Sequence, residues 1–283
     1  MRSPQSGIFA LGTASHAYLE LRATDMPELV PAVAALREPR TTMGGVNLVA
    51  GFRPELWPGD APEGLHGFDA DVGFMPATQE DAVLWISGAS YDVVFDVARA
   101  ALAELSQVAV VAEETSSWPY HHDRDLTGFI DGTENPTLLE APEIVLVPEG
   151  KPGEGGTVLL LQKWLHDAAE WESLLVAEQE DVIGRRKSDS EELDPKPADS
   201  HVASTDQDTF GHIFRRNMPY GTVTDHGTMF VGFCAEQGPL QVMLESMAGL
   251  RTGTRDALTH YTRPLTGSYY FVPSTDALRE LSG

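Results

Sequence analysis

The chain runs twice through an alternation of short apolar strands and amphipathic helices. That pattern confines it to folds that pack helices on sheets. In the first half, Ala17-Tyr18-Leu19-Glu20-Leu21-Arg22 alternates as a strand. Asp25 is placed to cap a helix, with Pro27 in its first turn and Glu28 three residues after the cap. Leu29, Val33 and Leu36 give that helix its apolar stripe, and Pro31 inside it is expected to bend or delay it. Strands are predicted at 46–52 and 82–87. Ser90 is expected to cap a second helix, with Val94, Val97, Ala101 and Leu105 on one face, and 108–111 returns as a strand. The second half predicts a strand at 157–162, a helix at 168–177, a strand at 229–234, a helix at 240–247 and a strand at 269–272. No sequence repeat relates the halves. Two successive mixed units predict two α+β subdomains, at 1–140 and 141–283.

Composition narrows the class. Apolar residues make up 42% of 283, enough for a sizeable core. No apolar run reaches the roughly 18 residues of a membrane helix. The start, Met1-Arg2-Ser3-Pro4-Gln5-Ser6-Gly7, leads only into a short apolar patch, so no secretory leader is expected. The single cysteine, Cys234, lies in an apolar strand pattern and is read as a small hydrophobe. It offers no disulfide, and a cytoplasmic protein is expected. With only the short stretch 277–283 after the last core strand, no tail for docking into a shell is expected. Asp and Glu outnumber Lys and Arg by 43 to 19, a net charge of −24. Such a surface repels phosphate backbones, so nucleic acid is not expected as a partner. It attracts cationic organic molecules and metal ions, and it also simply keeps a protein soluble.

The stretch Gly128-Phe129-Ile130-Asp131-Gly132-Thr133-Glu134-Asn135-Pro136 sets one carboxylate between glycines. Glycine lets backbone press closely on a ligand, and Asn-Pro fixes the exit of the turn. Taken alone, the stretch reads first as a surface turn, since Asp-Gly is a common turn pair. The histidines stand at 16, 66, 121, 122, 166, 201, 212, 226 and 260, and no zinc-protease helix, Walker loop, dinucleotide fingerprint or nucleophile elbow is present. His121 and His122 precede Asp123-Arg124-Asp125, a conceivable metal site or a polar loop. His201 ends a polar segment, 188–200, rich in Asp, Glu, Pro and Ser. Farther on comes Ile213-Phe214-Arg215-Arg216-Asn217-Met218-Pro219-Tyr220-Gly221. One imidazole, one guanidinium and one carboxylate are the minimum for holding a haem iron and cleaving a peroxide.

These segments, with Val182-Ile183-Gly184-Arg185-Arg186-Lys187, occur in the order found in dye-decolourising peroxidases. The chain resembles that family, above all its cytoplasmic bacterial B-type group, from Ala17 to Tyr269-Tyr270-Phe271-Val272-Pro273. The resemblance implies a pair of ferredoxin-like subdomains with antiparallel sheets, of the dimeric α+β barrel type. It implies haem b held mainly by the C-terminal subdomain. His201 matches the iron ligand, Asp131 the distal carboxylate, Arg215 the distal arginine and Asn217 a distal asparagine. Ile130, Gly132 and Thr133 beside Asp131 are expected to line the cofactor. Arg185 is expected at a haem propionate or in a solvated loop. Met229, Phe230 and Phe233 are expected in the apolar wall or simply in a core strand. Glu245 and Asp256 both qualify as the carboxylate that orients His201. Trp57, Trp85, Trp118, Trp164 and Trp171 are relay candidates, most of them expected in packing roles.

The implied activity is reduction of hydrogen peroxide to water through a ferryl intermediate, with bulky aromatic donors oxidised in one-electron steps. Cationic donors and a homo-oligomer are expected. One rival is a haem carrier with little turnover, although a carrier needs neither Asp131 nor Arg215. The other is a non-haem metalloenzyme built on His121 and His122.

Overall fold

The computed structural model describes residues 2–36, 45–121 and 123–282. The first half runs β1 (Ser15–Ala23), α1 (Met26–Ala35), β2 (Val46–Phe52), β3 (Ala82–Gly88), α2 (Tyr91–Leu105) and β4 (Ala109–Ser117). A long connection carrying α3 (Ala141–Val145) leads to β5 (Thr157–His166). Four short helices follow: α4 (Ala168–Ser173), α5 (Val176–Ile183), α6 (His201–Ser204) and α7 (Gln207–Phe210). Then come β6 (Phe214–Arg215), β7 (Met218–Gly221), β8 (His226–Cys234), α8 (Gly238–Met247), β9 (Thr262–Pro264), β10 (Ser268–Val272) and α9 (Thr275–Ser282).

The strands of the first half lie in the order β4-β1-β3-β2, all antiparallel. In the second half β6 and β7 both pair with β8, and β9 and β10 both pair with β5. Each of these pairs of short strands is one edge broken in the middle. Read so, the second half has the same order as the first. These are two ferredoxin-like units. They join through Ser117 opposite Tyr220 and Phe52 opposite Phe271, which closes the strands into a barrel.

Side chains alternate across each strand, so every strand serves two layers. Tyr18, Val49, Val83, Trp85, Leu159, Leu161, Met229, Val231, Phe233 and Tyr270 fill the interior. Glu20 is buried there too, and accepts hydrogen bonds from Tyr270 Oη at 2.5 Å and Ser268 Oγ at 2.9 Å. Outside the first half, Leu19, Leu21, Leu84 and Ile86 meet Leu29 and Val33 of α1 and Val94 and Ala101 of α2. Outside the second half, Val158, Leu160 and Trp164 meet Leu240, Met243 and Leu244 of α8.

Several local expectations shift. β4, β5 and β8 run longer than their apolar cores, because sheet pairing carries polar residues along. The helix expected at 168–177 is broken at Leu174-Leu175, where the Leu175 N–H donates to the Glu178 carboxylate at 2.7 Å. Neither the Asp25 nor the Ser90 side chain caps the helix it precedes, although each carbonyl accepts from the first turn; the Ser90 hydroxyl donates to Asp92 instead. Pro31 lies within α1 without delaying its start at Met26.

Candidate active site

The cavity of interest opens on the outer face of the second half's sheet. Counted to its open mouth it holds about 1210 Å³. Its floor is β5 and β8, through Leu160, Gln162, Trp164, His166, Thr228 and Phe230, and α8 adds Leu240, Met243, Leu244 and Met247. His201, Asp131, Arg215, Asn217, Arg185, Ile130 and Thr133 all line it. Segments separated by scores of residues thus meet at one site.

His201 opens α6, whose cap is Ser200: its Oγ accepts from Ala203 N at 3.3 Å. Gly184 sits against that cap at φ +91°, and a Cβ there would meet Ser200 Oγ at 2.6 Å. The imidazole Nδ1 lies 2.7 Å from Asp256 Oδ2, and Asp256 is fully buried. The Leu258 N–H donates to the other carboxylate oxygen of Asp256 at 2.9 Å, so the carboxylate is itself held. Glu245 pairs instead with Arg251 at 3.0 Å. Asp256 is therefore the carboxylate that touches His201. Burial works against a charged imidazole, but the charge and hydrogen bond of Asp256 outweigh it and raise the His201 pKa. With Nδ1 occupied, Nε2 is the nitrogen left to ligate a metal.

Asp131 reaches the cavity because its loop is anchored on the second half. Phe129 is buried with Trp171, Ile183 and Val202, the last next to His201 in sequence. Trp171 Nε1 donates to Thr127 O at 3.1 Å, and Asp131 N to Asp123 O at 2.7 Å. Arg215 Nη2 stands 3.8 Å from Asp131 Oδ1, an ion pair too long for a hydrogen bond. Its Nε is buried with no hydrogen-bond partner among the described residues. Arg216, the next residue, turns inward. It packs on the Trp85 ring at 5.1 Å and donates to Ile8 O at 2.9 Å and Ala10 O at 2.7 Å. Burial, eased only by Tyr18, lowers its pKa to about 10. Asn217 faces the cavity while its Oδ1 accepts from Val231 N at 2.9 Å, filling the gap between β6 and β7.

Three of the expected lining residues lie elsewhere. Phe233 points into the barrel, its ring 6.0 Å from that of Trp85, because it is three positions from Phe230 and so on the opposite face. Met229 shares that inward face. Gly132 belongs to the turn behind the cavity rather than to its lining. Arg185 lines the cavity with its guanidinium already shared by Glu134 at 2.6 Å and Glu192 at 2.7 Å. His121 packs against Tyr120 with ring centroids 4.1 Å apart, and His122 lies outside the described residues. Among the described residues no three metal-binding side chains cluster.

Other lining residues were not singled out. Gln162 and His166 follow the apolar run of β5 on its outer face, and polar residues at period two after an apolar strand were the available signal. Asp125 also lines the cavity, its pKa raised to about 6 by burial and then by the charge of Asp131.

The residues suit a haem. The apolar wall of Leu240, Met243, Leu244 and Met247, an imidazole with one nitrogen tied back, and a buried guanidinium nitrogen with no hydrogen-bond partner among the described residues suit a large, flat, iron-bearing group. The family model for the C-terminal part of Dyp-type peroxidases matches residues 122–277. Dye-decolorizing peroxidases of Rhodococcus erythropolis and Brevibacterium linens are each 37% identical over 84% of this chain, spanning 75% and 70% of their own lengths. A dyp-type peroxidase structure from Shewanella oneidensis matches at a TM-score of 0.90 and 32% identity, covering 99% of both chains. DypB from Rhodococcus jostii matches at 0.88 and 31%, covering 98% of this chain and 97% of its own. Variants of that protein were solved in complex with heme. These relatives carry the peroxidase reading rather than that of a haem carrier. The chain belongs to the dye-decolourising peroxidase family, haem-dependent enzymes that reduce hydrogen peroxide with electrons from a donor.

Proposed function

We propose that His201 holds the haem iron here and that Asp131 and Arg215 handle the peroxide. The observation that supports this most is the His201–Asp256 hydrogen bond of 2.7 Å in the cavity that also receives Asp131 and Arg215. Bound haem b supplies the redox iron, and the balance is one hydrogen peroxide, two protons and two electrons to two waters. His201 ligates through Nε2, and Asp256 fixes the ring and makes it a stronger donor. Asp131 takes the proton from the near peroxide oxygen and returns it to the far one, a role typically worth about 10²–10⁴-fold. Arg215 keeps its charge at any working pH and stabilises the negative charge on the departing oxygen. Arg185, Ile130, Thr133 and Phe230 border the cofactor, and Asn217 stands with the distal pair.

The same reading takes aromatic donors, with cationic ones favoured by the net charge of −24. It takes a homo-oligomer in the cytoplasm, with residues 1–140 and 141–283 as the subdomains. No helix among the described residues is long and apolar enough to cross a membrane. The test is His201→Ala. Haem retention should fall sharply, or the histidine-ligated spectrum should vanish. An unchanged iron–histidine stretch in resonance Raman spectra removes His201 from the role.

A further inference from the structure

We propose that Asn135 is a positioning residue that locks the backbone of Arg215 in register with the Asp131 turn. β6 is two residues long and pairs with β8 along one edge only, with Arg215 opposite Gly232. The next ladder bond runs from Arg216 N to Val231 O at 2.8 Å. The N–H and C=O of Arg215 point the other way, and Asn135 takes both. Arg215 N donates to Asn135 Oδ1 at 2.8 Å, and Asn135 Nδ2 donates to Arg215 O at 2.8 Å. One side-chain amide thus serves as a single residue of a missing neighbouring strand.

The other end of Asn135 is fixed to the carboxylate's turn. Its N–H donates to Gly132 O at 2.9 Å, and Pro136 restricts its backbone. Gly132, at φ +73°, is pressed against the same amide: a Cβ there would lie 2.9 Å from Asn135 Nδ2. That close approach gives the glycine after Asp131 a packing reason as well as a conformational one. Asp131 and Arg215 lie far apart in sequence and meet across a gap of 3.8 Å, with no hydrogen bond of their own. Asn135 sets that gap by binding both backbones.

The proposal rests on the assignment of Asp131 and Arg215 as the distal pair. The experiment uses haem-loaded Asn135→Ala, Asn135→Asp and Arg215→Leu, and the double variant of Asn135→Ala with Arg215→Leu. Stopped-flow absorbance gives the second-order rate with hydrogen peroxide. Deuterium exchange of the haem-free proteins reads the backbone of 213–217 without any turnover. Asn135→Ala should lower the peroxide rate by about 10- to 100-fold, the scale of a misplacement near 1 Å. It should leave the histidine-ligated ferric spectrum intact and speed exchange at 213–217. Asn135→Asp, which keeps the acceptor for Arg215 N but sets an oxygen against Arg215 O in place of the donor, should also lower the rate and speed exchange. In the Arg215→Leu background the Asn135→Ala loss should shrink to about twofold or less, because coupled residues are not additive. Native peroxide rate and native exchange in Asn135→Ala overturn the proposal, as does a loss that persists in full without the Arg215 guanidinium. A native rate in Arg215→Leu alone overturns the distal assignment, and the proposal with it. If Asn135→Ala does not fold, Asn135→Asp carries the test, and native rate and exchange there overturn it.

Discussion

On the outer face of β1 and β3 stand Leu19, Leu21, Leu84 and Ile86, and two helices close over them. On the outer face of β5 and β8 stand Gln162, Trp164, His166, Thr228 and Phe230, and a cavity opens instead. The strand order is the same in both halves, so topology does not decide which half has room for a ligand. Two things decide it. In the first half, α1 follows β1 after a short turn and packs on the sheet, whereas the second half's crossover, residues 167–213, holds four short helices of which α6 and α7 pack on α8. The second half also places polar side chains on the outer face, where apolar closure would leave them without partners.

The largest expected difference is in stability. Leu84→Ala removes a fully buried side chain from the filled half and should cost about 2–5 kcal/mol in a denaturant titration. Phe230→Ala borders open space and should cost clearly less, while loosening haem. Equal costs would erase the contrast. Next, Arg215→Leu should slow reaction with hydrogen peroxide by one or two factors of ten, each about 1.4 kcal/mol of barrier. Asp131→Ala should lose less, because the positive charge stays and water can carry a proton. The reverse order in stopped-flow would make the carboxylate the main group.

A smaller effect is shared by the barrel and the cavity. Burial lowers His16 to about 4, with Arg216 adding to it, and lowers His166 to about 4, with His226 adding to it. Both are neutral in the native state and titrate near 6.5 when unfolded. The unfolded chain therefore binds more protons between these values. The stability they contribute is fully present above about 6.5 and is lost as pH falls toward 4. The fall from pH 6.5 to 5.5 should cost about 1 kcal/mol for each histidine. His16→Gln should flatten that slope in urea midpoints, and an unchanged slope acquits His16. The smallest effect concerns donors. At pH 7, salt should shift the ratio of kcat/KM between a cationic and an anionic dye by a few-fold, as screening shortens to about 10 Å at 0.1 M. A constant ratio would place selection in contacts at the cavity instead.

The strands were legible because a period of two is local. The core of each predicted strand lies within an observed one, and the β2 prediction matches Val46–Phe52 to the residue. His201, Asp131 and Arg215, which the family resemblance singles out in three short segments, line one cavity. The inward turn of Phe233 was equally available from its odd spacing to Phe230, a signal passed over. What could not be read was anything that depends on partners far along the chain. His201 selects Asp256 over Glu245 across 55 residues, and Asn135 reaches Arg215 across 80.

By itself, then, the sequence determined the alternation of strands and helices, the family and the short segments that meet at the cavity. Local backbone preferences and contiguous motifs carry that information without reference to the rest of the chain. Tertiary structure alone decided that single pairings at Ser117–Tyr220 and Phe52–Phe271 close the barrel. It also decided which of the adjacent Arg215 and Arg216 faces the cavity and which faces Trp85. The reason is that closure and facing follow from register between strands, and register is set by packing summed over the whole sheet.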